Sequence, residues 1–183
     1  MSRFLLALCL LVALPVSAAT KVLVTTNLGQ FTVELNEAKA PITTKNFLRY
    51  VDDGSYVGTI FHRVIPGFMV QGGGFDQALK QRPSYPAIKN EADNGLPNNI
   101  ATIAMARTQN PDSATRQFYI NLANNDFLNT QGSRTGYAVF GKVIKGFPVV
   151  EKMATIPTGS DPRTGMSDVP QQPIIIEAMK VIK

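Results

Sequence analysis

The sequence predicts a mainly β fold, a closed or nearly closed antiparallel barrel capped by two α-helices. Three observations carry this. Short β-rich segments recur along the chain, most are bounded by Gly, Pro, Asn or Asp, and only two stretches have helical character. With 183 residues, one domain can bury a substantial core without a covalent staple.

The first element is a hairpin: Val22 to Thr26 and Phe31 to Leu35, joined by Asn27-Leu28-Gly29-Gln30. Pro41 opens a helix through about Val51, with Ile42, Phe47, Leu48 and Val51 on one face and Gly54 closing it. Strand-like pieces follow at Thr59 to Ile65, Phe68 to Gln71, Ile100 to Met105, Gln117 to Leu122 and Tyr137 to Ile144. Pro148 begins a second helix through about Ala154, burying Val149, Val150 and Met153, and Pro173 to Ile182 is β-rich again. Strands near both termini are expected to close the sheet and remove its edges. Two long loops, Asp76 to Asn99 and Pro157 to Gln172, are where binding specificity is expected.

Met1-Ser2-Arg3, an uncharged run from Phe4 to Val16, and Ser17-Ala18-Ala19 read as a secretory signal peptide over residues 1–19, leaving a single domain at 20–183. The apolar run is shorter than a membrane span needs, so an exported protein without stable membrane association is expected. The periplasm is the expected compartment, with secretion beyond the cell as the alternative. Cleavage removes Cys9, the only cysteine, so the mature domain has no thiol to mispair in an oxidising compartment. Loss of Arg3 lowers the formal charge from +5 to +4, and the basic residues are scattered. That excludes a clustered nucleic-acid groove. No heptad pattern or long exposed apolar strand argues against a monomer.

His62 is the only histidine, which leaves a zinc site without thiolates improbable and any Ser-His-Asp triad dependent on one residue. In a regular strand Phe61 and Arg63 share one face and His62 points to the other, so His62 is expected to be structural and hydrogen-bonded. Gly72-Gly73-Gly74 lacks the Lys-Ser/Thr of a phosphate loop and reads as a turn or bulge. What remains is Arg63, a donor that cannot lose its proton, among apolar groups.

The run Phe61-His62-Arg63-Val64-Ile65-Pro66-Gly67-Phe68-Met69-Val70-Gln71-Gly72-Gly73-Gly74 resembles the central motif of the cyclophilins, the peptidyl-prolyl cis-trans isomerases. Met105-Ala106-Arg107-Thr108, Gln117-Phe118-Tyr119-Ile120-Asn121, Asp126-Phe127-Leu128-Asn129 and Gly136 to Val143 continue the resemblance in order, as does Asn90 to Gly95. The ordered series spans nearly the whole mature chain and is most similar to exported bacterial members of the periplasmic peptidyl-prolyl isomerase A type.

The resemblance implies a closed antiparallel eight-stranded β-barrel capped by two α-helices. It implies Arg63 as the catalytic side chain, with Gln71 orienting it and holding the peptide. Phe68, Met69, Tyr119 and Leu128 would form the proline pocket. Ala106, Arg107 and Gln117 would flank the residues before proline, the backbone around Arg107 pairing with the bound peptide. Phe127 and Tyr137 would lie on the rim. Within Gln117 to Asn121, alternation puts Gln117 and Tyr119 on one face and Phe118 and Ile120 toward the core. Phe61 is also assigned to the core, against simple alternation.

Three residues depart from the best-known eukaryotic pattern: Tyr119 replaces a pocket Phe, Phe127 a Trp, and Tyr137 a position often held by His. The Tyr119 hydroxyl must find water or a partner. Without the indole donor, cyclosporin binding is expected to be weak. The implied partners are proline-containing segments of unfolded or folding proteins. No metal or cofactor is implied, because rotation about an X-Pro bond makes and breaks no covalent bond. A binding module or chaperone for proline-containing segments would use the same groove. A barrel carrying a small hydrophobic ligand leaves Arg63 and Gln71 unexplained, and a hydrolase is less favoured still.

Overall fold

In the computed structural model, which describes residues 19–182, ten strands and two α-helices follow one another along the chain. The assigned signal segment lies outside the described residues except at Ala19. Strands β1 (Lys21–Thr26) and β2 (Gly29–Leu35) form the N-terminal hairpin, in register from Lys21–Glu34 to Thr26–Gly29. The other long strands are β3 (Thr59–Ile65), β4 (Met69–Asp76), β5 (Thr102–Met105), β6 (Phe118–Asn121), β7 (Val139–Lys145) and β10 (Ile176–Ile182). They make one eight-stranded antiparallel sheet in the order β10-β1-β2-β7-β5-β6-β4-β3.

The sheet curls until its two edge strands meet. Closure is partial: Ile60 and Ile175 form a bridge, and the Phe61 amide donates to the Ile174 carbonyl at 2.9 Å. Two-residue strands β8 (Thr158–Gly159) and β9 (Val169–Pro170) pair with each other and fold the long 157–172 loop into a hairpin beside β3.

Helix α1 (Pro41–Asp52) starts with proline at its first position, and Ala40 offers no side-chain cap. The cap comes from Glu91, whose carboxylate accepts from the Ile42 and Thr43 amides at 3.1 and 2.8 Å and from the Thr43 hydroxyl at 2.7 Å. The buried face of α1 is Thr43, Thr44, Asn46, Phe47, Tyr50 and Val51. Ile42 is therefore exposed rather than core-facing, and Leu48 lies half-buried at the margin. The second helix, α2 (Phe147–Met153), buries Val150 and Met153, with Val149 packed at the edge.

Inside the sheet, Phe47 packs against the rings of Tyr56, Phe118 and Phe140 at centroid distances of 5.2–5.5 Å. Arg116 is buried beneath this core without an acidic partner among the described ion pairs. Its guanidinium donates to the carbonyls of Gly73, Pro83 and Ser55, tying β4 to two loops. No helix of the described residues is long and apolar enough to cross a membrane.

The glycine run belongs to β4 rather than to a turn after it. Pairing of β3 with β4 slips twice, between Ile60 and Phe61 and between Phe61 and Arg63. Gly73 supplies the left-handed conformation of this bulge, with φ +83°. The slip also breaks simple alternation. Phe61 turns into the core, fully buried, while Arg63 stays on the outer face.

Candidate active site

Register alone builds the site. On the outer face of the sheet, Arg63 of β3 lies opposite Gln71 of β4, Gln71 opposite Tyr119 of β6, Tyr119 opposite Ala104 of β5, and Ala104 opposite Val139 of β7. One row of five strands thus carries a cation at one end and apolar groups at the other. The opposite faces of these strands, through Val70, Phe118 and Ile120, point into the main core.

A second apolar cluster, separate from that core, forms the patch. Met69, Ala104, Tyr119 and Val139 are its buried floor, and Ile65, Phe68, Leu96, Ala106, Leu128 and Tyr137 pack around it partly exposed. Phe127 is 55% exposed and stacks on Phe68 with centroids 5.5 Å apart. An exposed aromatic stacked on a half-buried one is a surface built for contact rather than core packing. A groove of about 570 Å³ on the neighbouring sheet face shares only Leu96 and Val139 with this patch and contains no part of Arg63.

The polar members divide by what holds them. The Gln71 side-chain Nε2 donates to Gln117 Oε1 at 2.9 Å, bridging β4 to the residue before β6, and no described hydrogen bond joins Gln71 to Arg63. Arg107 is spent on carbonyls: Nε donates to Gly136 at 3.2 Å, Nη2 to Thr135 at 2.6 Å and Nη1 to Thr108 at 2.8 Å. Its guanidinium carbon lies 4.4 Å from the centre of the Tyr137 ring, which it holds against the patch. The Ala106 amide is taken by the Gln117 carbonyl at 2.9 Å.

Tyr119 finds the partner that its hydroxyl requires. It donates to Asn98 Oδ1 at 2.7 Å, in a buried group that includes Asn121 and Asn125. Burial pushes the Tyr119 phenol well above its usual range, so it stays a neutral donor.

Arg63 is half-exposed and pairs with Asp168, Nε to Oδ2 at 3.3 Å. That partner lies on the 157–172 hairpin, one of two acids in a polar loop, and the sequence carries no further signal for it. Asn98, behind Tyr119, was missed for the same reason.

His62 is buried and neutral. Its pKa is lowered to about 4, chiefly by burial, with the Arg63 charge acting the same way and the Ile60 carbonyl opposing. The expected hydrogen bond is absent at Nδ1, which has no partner among the described residues. The ring instead packs edge-on against Phe75, 4.6 Å between centroids. No group of three or more His, Cys, Asp or Glu side chains comes together among the described residues.

A curled eight-stranded sheet with a guanidinium at one end of a cross-strand row and an apolar patch beside it is the arrangement that the cyclophilin resemblance of the sequence implies. Residues 21–181 match the family model described as cyclophilin type peptidyl-prolyl cis-trans isomerase/CLD. The chain belongs to the cyclophilin-type peptidyl-prolyl cis-trans isomerases. It is 53% identical over 173 residues to a peptidyl-prolyl cis-trans isomerase of Acinetobacter baylyi, covering 94% of this chain and 90% of the relative. It is 51% identical to peptidyl-prolyl cis-trans isomerase A of Dickeya dadantii, covering 93% and 89%. A cyclophilin type peptidyl-prolyl cis-trans isomerase of Cryptosporidium parvum superposes with a TM-score of 0.74 at 28% identity, covering 91% and 99%. A crystal structure of that isomerase was obtained in the presence of the dipeptide Ala-Pro (TM-score 0.72, 28% identity, covering 89% and 99%).

Proposed function

We propose that this chain accelerates rotation about X-Pro bonds in exported, folding proteins, by stabilising the twisted amide without covalent chemistry. The observation that carries the reading is the cross-strand position of Arg63 opposite Gln71, on the same sheet face as the patch of Met69 and Tyr119.

Amide resonance opposes rotation with a barrier of about 18–20 kcal/mol. At X-Pro the two planar states differ by only about 0.5–1 kcal/mol, yet exchange takes tens of seconds or longer. The catalyst therefore needs only to favour the twisted state over both planar ones. On twisting, the prolyl nitrogen becomes pyramidal and regains a lone pair. A guanidinium N–H of Arg63 donates to it there, and to neither planar form. One charge-assisted hydrogen bond contributes about 1.5–3 kcal/mol, a rate factor of about ten to a hundred.

Phe68, Met69, Tyr119 and Leu128 hold the ring while the preceding carbonyl swings, and their apolar surface excludes water. Gln71, tied to Gln117, offers its remaining amide groups to the peptide. Ala106, Arg107 and Gln117 flank the residues before proline, and Phe127 and Tyr137 form the rim. The crystal structure of the Cryptosporidium relative obtained in the presence of Ala-Pro supports a proline-containing segment as ligand. The apolar leader with its small-residue end supports export, and the periplasm as the compartment.

A protease-free exchange assay on proline tetrapeptides, comparing wild type with Arg63→Ala and Arg63→Lys, tests the chemistry. Both variants lose activity on this reading, because an ammonium does not reproduce the planar fork. Osmotic-shock fractionation of cells making the full chain tests the compartment. Retention of an uncleaved product in the cytoplasm would refute export.

A further inference from the structure

The Arg63 guanidinium is held at one edge only. Nε donates to Asp168 Oδ2, and among the described hydrogen bonds none engages Nη1 or Nη2. Asp168 comes from 105 residues further along the chain, and its placement is determined at several points. Its carbonyl accepts the Val64 amide at 2.9 Å, docking the loop on β3 one residue from Arg63. Behind it, Thr158 pairs with Pro170 and Gly159 with Val169. The loop's far end is tied by Asp161, whose carboxylate accepts from the Arg163 and Thr164 amides at 2.9 and 3.0 Å.

Two facts argue against a stabilising role for the pair. The Arg63 and Asp168 side chains are 42% and 37% exposed, and ion pairs open to water contribute little to stability. Asp168 also holds a left-handed backbone, φ +59°, which is strained for a residue with a Cβ. Strain retained for a pair that adds little to stability is characteristic of functional sites.

We propose that Asp168 is a positioning residue for isomerisation. Its carboxylate fixes the Nε edge of Arg63 and leaves both Nη groups for the substrate. Arg has several rotatable bonds and five N–H donors in one plane, so anchoring one edge orients the other four. The ordering that would otherwise accompany the twisted state is then already in place in the free enzyme. The anchor neutralises part of the local charge without occupying the donors that reach the amide. This rests on the reading of Arg63 as the donor, and the experiment separates the two.

Asp168→Ala and Asp168→Asn are compared with wild type, each alone and combined with Arg63→Ala, by peptide exchange kinetics and by the NMR signal of Arg63 Nε–H. Asp168→Ala lowers kcat/KM by about three- to tenfold, mainly in kcat, as expected when a catalytic donor loses its preorganised geometry. Asp168→Asn keeps an acceptor oxygen and recovers most of that loss. In the Arg63→Ala background neither change has a further effect. The Nε–H signal, protected in wild type, exchanges rapidly in Asp168→Ala. An unchanged rate in Asp168→Ala, or the same loss with Arg63 already removed, would overturn the proposal while leaving Arg63 as donor. An unchanged rate in Arg63→Ala would remove the donor reading and this proposal with it.

Discussion

The Tyr119 hydroxyl donates a 2.7 Å hydrogen bond to Asn98 Oδ1, so the back of the site's apolar floor is fastened to the loop between β4 and β5. Asn98 has no exposed surface, and its oxygen also accepts from Asn121 Nδ2 at 3.3 Å. The ring of Tyr119 forms part of the apolar patch and its hydroxyl is tied into the scaffold.

Tyr119→Phe therefore separates stability from turnover. It leaves the ring in place and costs about 1–2 kcal/mol by removing a buried hydrogen bond. Chemical denaturation measures the loss, and peptide exchange kinetics should change by less than about threefold, below one hydrogen bond's worth of rate. A tenfold fall in kcat/KM at unchanged stability would mean that the hydroxyl acts on substrate instead.

His62 gives stability a pH dependence with a defined sign. Its folded pKa of about 4 lies below the unfolded value of 6.5, so the unfolded chain binds the extra proton as pH falls between them. The penalty is absent above pH 6.5, about 2 kcal/mol by pH 5, and complete at about 3 kcal/mol below pH 4. Urea melts from pH 7 to 4 test this, with no other histidine to confuse the slope. Flat stability between pH 7 and 5 would contradict it.

Adjacent glycines of β4 should fail in different ways. A Cβ on Gly73 would meet the Tyr56 and Phe118 rings at 2.8 and 2.9 Å, on a backbone at φ +83°. Gly73→Ala should cost about 2 kcal/mol or more through overpacking and strain. A Cβ on Gly74 would meet Gln117 Cγ at 2.5 Å and displace the side chain that accepts from Gln71. Gly74→Ala should lower kcat/KM by about threefold to tenfold, on the order of one hydrogen bond, with a smaller effect on stability. Denaturation and exchange kinetics on the two variants distinguish these outcomes, and equal effects on both quantities in both variants would refute the distinction.

Much of this arrangement was legible in the chain. Turn residues marked the N-terminal hairpin, Pro41 and Gly54 bracketed α1, and alternation within Phe118–Asn121 put Tyr119 outward and Phe118 inward. Alternation failed where its premise fails: the double slip beside Gly72–Gly74 buries both Phe61 and His62. Ile42 is exposed because α1 instead buries Thr43 and Asn46, satisfied by long-range hydrogen bonds, and Thr44, whose hydroxyl donates locally to the Ala40 carbonyl; a hydrophobic pattern registers none of these. Glu91 on α1, Asn98 on Tyr119 and Asp168 on Arg63 are contacts between residues 21 to 105 positions apart. Periodicity within a segment carries no information about such pairs.

Exchange of a proline peptide at saturating concentration, followed by NMR line-shape in wild type and Arg63→Ala, bears most directly on Arg63 as the donor to the twisted amide. If Arg63 donates only in that state, the bound cis-trans rate falls about tenfold or more while peptide affinity changes by less than about threefold. An unchanged bound-state rate, or a loss confined to affinity, would contradict that role for Arg63.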